Sequence, residues 1–137
     1  MHSIPTNPEE YLNRLPAVKF KRCPIEVTMA VLGKKWTLLI LRDIALFNIN
    51  RFNKIRRSLL GLTPRVLTLR LHELEENQLI QASTIKENPR VVEWELTEKG
   101  KDTVPILLGV MNFGSRWYPD EVFEDHCPRT IEEIYQE

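Results

Sequence analysis

Cysteine is nearly absent. Cys23 and Cys127 lie too far apart to read as a disulfide framework, and neither belongs to a zinc-ligand spacing. Long apolar runs are missing too: no stretch reaches the roughly 18 residues that a membrane span needs. The opening MHSIPTNPEEYLNRL lacks the basic-then-apolar layout of a signal peptide, so the expected location is the cytoplasm, with no membrane partner. Histidines number only three, and there is no glycine-rich phosphate loop, no G-x-S-x-G, no H-E-x-x-H and no carboxylate pair at a defined spacing. An enzyme is therefore not expected, and neither is a cofactor. Asp125-His126-Cys127-Pro128 has the look of a metal motif, but a closed zinc site takes four ligands and no second cysteine or histidine lies near. Internal repeats and low-complexity runs are also lacking, and 42% hydrophobic with 28% charged residues excludes a disordered chain. A length of 137 residues fits one domain.

Net charge is formally zero, but its distribution is not even. Residues 1–18 carry one basic and two acidic side chains, residues 19–72 twelve basic and two acidic, and residues 73–137 six basic and fifteen acidic. Such a basic block beside an acidic one makes a directional field suited to a polyanion; two solvated faces of opposite sign are the plainer alternative.

Asn7-Pro8-Glu9-Glu10 has the form of a capping box opening a short helix that ends at Leu15-Pro16. Cys23-Pro24 opens another, with Ile25, Met29 and Leu32 on one face and Gly33 at its end. KKWTLLILRDIALF, residues 34–47, is apolar nearly all round and predicts a central buried helix. Asn50 is the expected cap of the next helix, with Phe52, Ile55 and Leu59 inward and Arg51, Lys54, Arg56 and Arg57 outward. Gly61-Leu62 turns the chain into LTPRVLTLRLHELEENQLI, where Thr63 caps and Pro64 takes the first helical position. Ile80–Ile85 and Val91–Thr97 alternate as two strands joined by the charged connection 86–90. From Thr97 a long helix is expected to run to about Trp117, bent at Pro105, with Val104, Leu107, Leu108 and Met111 on one stripe and Ile106, Val110, Phe113 and Trp117 on a second. Thr130-Ile131-Glu132-Glu133 is a further capping box. Helices, a helix–turn–helix, a hairpin and a long helix describe a winged helix–turn–helix: mainly α with a small β wing.

At 100° per residue, Leu67, Leu71, Leu74 and Gln78 share the buried stripe of the helix after Thr63. Arg65, Thr68, Leu69 and His72 lie on its outer face or flank. A forked donor, a hydroxyl, an apolar group and an imidazole are types that read base edges in a major groove. Glu73, Glu75 and Glu76 follow later, so an approach led by the helix N-terminus keeps the acids clear and aims the positive end of the dipole at DNA. Thr63, Arg51, Lys54, Arg56, Arg57, Arg70 and Arg90 are the candidate phosphate contacts, Arg90 having the alternative of a narrow minor groove.

Residues 23 to about 114 resemble the HxlR-type winged helix–turn–helix regulators of bacteria and archaea. The landmarks run in order: Cys23-Pro24; Leu32-Gly33-Lys34-Lys35-Trp36-Thr37-Leu38-Leu39-Ile40-Leu41-Arg42; Arg51-Phe52 with Ile55-Arg56 and Leu59; Thr63-Pro64, Leu67, Arg70-Leu71 and Leu74-Glu75; Pro89-Arg90-Val91, Glu93 and Leu96-Thr97; then Gly100 and Pro105. The resemblance implies a MarR/HxlR-like homodimer on a pseudo-palindromic operator of double-stranded DNA. It implies a single domain over 1–137, with 1–22 as an N-terminal dimerisation arm and 98–137 as a C-terminal dimerisation helix plus acidic tail. The dimer interface would then take Leu12, Ile106, Val110, Phe113 and Trp117. The chain departs from the pattern at Gln78, where glycine is usual and Asn77 is expected to take the left-handed cap, and at Phe113-Gly114, where Trp-Gly is usual; the tail beyond Trp117 has no strong counterpart. Some members sense oxidants or electrophiles through a cysteine at the position of Cys23. Beside Lys21 and Arg22 at a helix start, that thiol sits in the electropositive setting of reactive cysteines, the alternative being a small buried residue. A winged helix used only as a protein-interaction module is the competing function, and the basic band from Lys19 to Arg70 argues against it.

Overall fold

A computed structural model describes residues 4–136. In chain order it contains a 3-10 turn (Pro8–Tyr11), α1 (Pro24–Leu32), α2 (Thr37–Ala45), α3 (Phe52–Ser58), α4 (Pro64–Glu76), β1 (Ile80–Glu87), β2 (Arg90–Leu96), α5 (Glu98–Lys101), α6 (Val104–Trp117), α7 (Pro119–Val122) and α8 (Ile131–Ile134). This is the expected winged helix–turn–helix.

The core is one cluster of aliphatic side chains. Ile40 and Leu41 of α2, Ile55 of α3, and Leu67, Leu71 and Leu74 of α4 are buried together with Leu32, Leu79, Ile80 and Leu107. Three leucines at helical spacing thus anchor α4. Its start is fixed locally, since the Thr63 hydroxyl accepts the Val66 N–H at 3.2 Å and Pro64 needs no hydrogen bond there. Gly61, at φ +90°, makes the turn from α3 into α4 in a region other residues rarely adopt. α2 lies centrally, with Asp43 wholly buried and Arg42 donating to its Oδ1 at 2.8 and 3.1 Å. Even so, Leu39 and Phe47 on its flank stay exposed.

β1 and β2 pair antiparallel from Ile80↔Leu96 to Glu87↔Arg90, with an irregularity between Thr84 and Lys86. The wing is therefore longer at its tip than alternation indicated. Its root is held at two points: Trp94 N–H donates to the Asn50 carbonyl at 2.8 Å, and Thr97 N–H to the Leu79 carbonyl at 3.1 Å. Gly100 is buried where α5 crosses this root; a Cβ there would lie 1.9 Å from the Leu79 carbonyl oxygen.

Five local expectations change. The capping box at Asn7 does not form: Asn7 Nδ2 reaches the Glu10 carboxylate at 3.3 Å and the segment is a single 3-10 turn with none of its residues buried, so it lacks the packing that sustains a short helix. In α1 only Leu32 is buried, leaving Ile25 and Met29 exposed. Arg51, not Asn50, holds the cap position of α3, since the Asn50 carbonyl is taken by the wing. Gln78 leaves the buried stripe and takes the left-handed position itself (φ 61°), while Asn77 remains at φ −79°. Finally, Pro105 does not bend one long helix; the helix is two. A proline lacks its N–H and collides with the carbonyl four residues back, so α5 stops at Lys101 and α6 restarts with Pro105 in its first turn. The capping box at Thr130 and Glu133 is present.

Candidate nucleic-acid interface

With its leucines committed to the core, α4 turns the other face outward. Arg65, Thr68, Leu69 and His72 are all exposed, Leu69 at 50%. Leu69 is thus an apolar group, half exposed, on a face whose other members are polar. The Thr68 hydroxyl donates to the Pro64 carbonyl at 2.9 Å and keeps its lone pairs outward. His72 Nε2 lies 3.2 Å from Glu76 Oε1, one turn further along.

α4 and the wing enclose a groove. Phe52, Thr68, Leu71, His72, Glu75 and Trp94 line one part of about 240 Å³, and Phe52, Glu75, Trp94, Ala82, Val92 and Arg90 an adjoining part of about 480 Å³. The fold thus brings Thr68 and His72 of α4 and, beyond Glu75 and Trp94, Arg90 of the wing along one groove, while Arg65 and Leu69 do not line it. Trp94 is a member of this groove that the sequence did not single out, and Glu75, noted there only as a later acid of α4, lines it too. The alternation of β2 marks Trp94 as one-sided, but nothing local says that its neighbour is Phe52.

The basic residues divide into two groups. Lys54, Arg56 and Arg57 on α3, Arg65 on α4 and Arg90 on the wing are exposed. Arg51 and Arg70 are partly engaged within the chain. Arg51 Nε reaches Glu93 Oε2 at 3.3 Å, linking α3 to the wing. Arg70 Nε donates to the Lys35 carbonyl at 2.9 Å and its NH1 to Glu73 Oε1 at 2.8 Å. Lys34 also pairs with Glu73. The Lys34 ammonium, followed by Arg70, holds the Glu73 carboxyl below its ordinary value. Glu73 is therefore more than an acid kept out of a groove: with two cationic partners, it ties α4 to the loop before α2.

Cys23 is half-buried at the N-cap of α1, and Cys127 is exposed in the tail; both are free thiols. Cys127 sits in a turn closed by Asp125, which accepts its N–H at 3.1 Å and pairs with Arg129 at 2.6 Å. Arg129 holds the Asp125 carboxyl down to about 2. His126 lies 3.3 Å from Asp120. Among the described residues, no three His, Cys, Asp or Glu side chains gather as metal ligands. Leu12 (72%), Val110, Phe113 and Trp117 (62%) are well exposed, Ile106 less so. No described helix is long and apolar enough to cross a membrane.

An anchored second helix, an exposed first half of its outer face and a hairpin beside it define a helix–turn–helix transcriptional regulator of the winged class. Residues 31–122 match the HxlR-like helix-turn-helix family, and the chain belongs to it. It is 33% identical over 114 residues to the uncharacterized HTH-type transcriptional regulator YdeP of Bacillus subtilis, covering 83% of this chain and 88% of that one. An HTH-type regulator of Methanothermobacter thermautotrophicus is 38% identical over 95 residues, covering 69% and 72%. Among solved structures, the redox regulator HypR in its reduced form superposes with a TM-score of 0.65 at 33% identity, over 74% of this chain and all of that one. The reduced form of the regulator YodB from B. subtilis does so with 0.59 at 28%, over 71% and 95%.

Proposed function

We propose that this regulator binds double-stranded DNA as a homodimer, reading a pseudo-palindromic operator with α4. The observation that carries the reading is the split character of that helix: Leu67, Leu71 and Leu74 are buried, while Arg65, Thr68 and Leu69 stand exposed at its N-terminal half. A major groove about 12 Å wide admits one helix, and an approach led by its N-terminus presents these residues to base edges first. Arg65 donates to guanine, Thr68 and His72 bond or touch, and Leu69 packs on a thymine methyl. Thr63, Arg51, Lys54, Arg56, Arg57, Arg70 and Arg90 contact phosphate, with Arg51 and Arg70 using the N–H groups their internal partners leave over. Such a protein works beside the genome, in the cytoplasm.

The apolar residues Leu12, Ile106, Val110, Phe113 and Trp117 form the dimer contact. A two-fold then places two α4 helices in successive major grooves about 34 Å apart. The test is titration of duplex DNA over a range of salt. A steep fall of affinity with salt, together with preference for selected genomic fragments over competitor DNA, fits the regulator. Absence of binding at low salt would leave a winged-helix protein-interaction module instead.

Cys23 is the proposed signal input. It stands half-buried at the start of α1, and two structural relatives are described as redox regulators or solved after diamide treatment. Cys23→Ser should keep DNA affinity and lose its response to a mild thiol oxidant; an unchanged response removes Cys23 from the account.

A further inference from the structure

The tail beyond α6 is folded back onto that helix and held by polar contacts. Ser115, 2% exposed, donates to the Arg129 carbonyl at 2.6 Å and accepts the Arg129 N–H at 3.1 Å. The Arg129 guanidinium lies 4.5 Å over the Phe123 ring and pairs with Asp125. Thr130 and Glu133 close α8 with their reciprocal cap. These contacts set where the tail stands, and they leave a gap beneath it. Between α6, the tail and Phe47 lies a cavity of about 410 Å³, walled by Phe47, Met111, Val122, Phe123, Ile134 and Tyr135. Packed protein seldom leaves apolar space of this size unfilled, and a cavity of about 150 Å³ already admits benzene.

Gly114 keeps the floor of this cavity open. It lies within α6, where glycine is a poor helix former, and neither backbone nor packing requires it there. A Cβ added to it would meet no atom within 4 Å, whereas one at Gly100 would strike a carbonyl. Unlike the exposed Gly109, Gly114 lines the cavity, so any side chain at this position would occupy it.

The nearby charges define the class of guest. Arg42 lies 4.8 Å over the Phe47 ring, as Arg129 lies over Phe123, so a cation finds one face of each ring already taken. Both arginines are paired with aspartates, Asp43 and Asp125, and neither is free for an anion. None of the lining residues is charged, and the Ser115 hydroxyl is engaged by Arg129.

We propose that this cavity binds a small uncharged molecule of largely hydrocarbon surface, held between Met111 of α6 and Phe123 and Ile134 of the tail. Three of its walls, Phe123, Ile134 and Tyr135, lie beyond the residues 31–122 matched to the family, so the site is built from this chain's own extension. It is also separate from the proposed dimer contact. At about 100° per residue, Met111 and Ser115 point about 100° or more away from Ile106, Val110, Phe113 and Trp117. Neither DNA binding nor dimerisation is needed for the cavity to fill.

The test is a fluorescence titration of the full chain with N-phenyl-1-naphthylamine, an uncharged dye that brightens in apolar surroundings. Wild type should bind it saturably, one dye per chain. Gly114→Leu fills the cavity from the floor and should weaken binding roughly ten-fold or more, while melting no lower than wild type. Val122→Trp fills it from the tail side at an exposed position and should do the same, so the test survives a misfolded Gly114→Leu. The related dye 8-anilinonaphthalene-1-sulfonate, which carries a negative charge, should bind more weakly by a similar factor. Absent or unsaturable binding, or binding that both filled variants retain, overturns the site. Equal affinity for the sulfonated dye overturns the uncharged class. Filled variants that lose the dimer in sedimentation velocity, when wild type takes up no dye, assign the groove to a second copy and overturn the ligand.

Discussion

Arg70 Nε donates to the Lys35 carbonyl across 2.9 Å, joining the proposed reading helix to the loop between α1 and α2. The same guanidinium holds Glu73, which Lys34 grips from the loop side. Four residues thus form a clasp that fixes the azimuth of α4, which the leucines beneath it, being non-directional, fix less tightly. Replacing Arg70 by Ala should cost about 1 kcal/mol and weaken binding to all duplexes rather than to one sequence. Thermal unfolding and a two-duplex titration check both halves.

The clasp has a pH signature. The Glu73 carboxyl titrates below its ordinary value near 4.5 in the folded chain, chiefly because of Lys34. As pH falls, the unfolded chain takes up that proton first, so the stabilisation is complete at neutral pH and is lost as pH drops below 4.5. Glu73→Gln should therefore melt below wild type at pH 7, with the gap closing toward pH 3. A gap independent of pH would show that the carboxylate charge is not what the clasp uses.

Leu69 and Leu71, two residues apart on α4, should behave differently, one exposed and the other buried. Leu71→Ala leaves a cavity in the core and should cost about 2–5 kcal/mol. Leu69→Ala should leave the melting temperature near that of wild type while changing which operator is preferred. A large stability loss at Leu69 would place it in the core and remove it from the reading face.

Gly100 tests the wing's attachment. With 1.9 Å between an added Cβ and the Leu79 carbonyl, Gly100→Ala must push α5 from the wing root. The expected loss is about 1–3 kcal/mol, as for other overpacked sites, read by circular dichroism melts.

The contrast between Thr63 and Pro105 shows what the sequence could tell. Thr63-Pro64 declared a helix start correctly because a cap and a first-turn proline act within three residues. Pro105 is the same signal, yet inside a long apolar pattern it read as a bend; it too marks a start. The buried stripe at Leu67, Leu71 and Leu74 was legible from spacing, and so was the outer face opposite it. What was not legible depends on partners far along the chain. Trp94 takes the Asn50 carbonyl, and Arg70 meets Lys35 across a separation of 35 residues. No window on one segment reveals either. The groove member Trp94 and the clasp role of Glu73 were missed for that reason.

The central claim is that α4 reads bases while the surrounding basic residues hold phosphate. It is tested most directly by comparing Arg65→Ala with Lys54→Ala on one selected operator and one unrelated duplex. Arg65→Ala should cost about 1–3 kcal/mol on the operator and little on the competitor, collapsing their ratio. Lys54→Ala should weaken both duplexes alike and reduce the salt slope by about one. An operator-to-competitor ratio that survives Arg65→Ala unchanged would contradict the account.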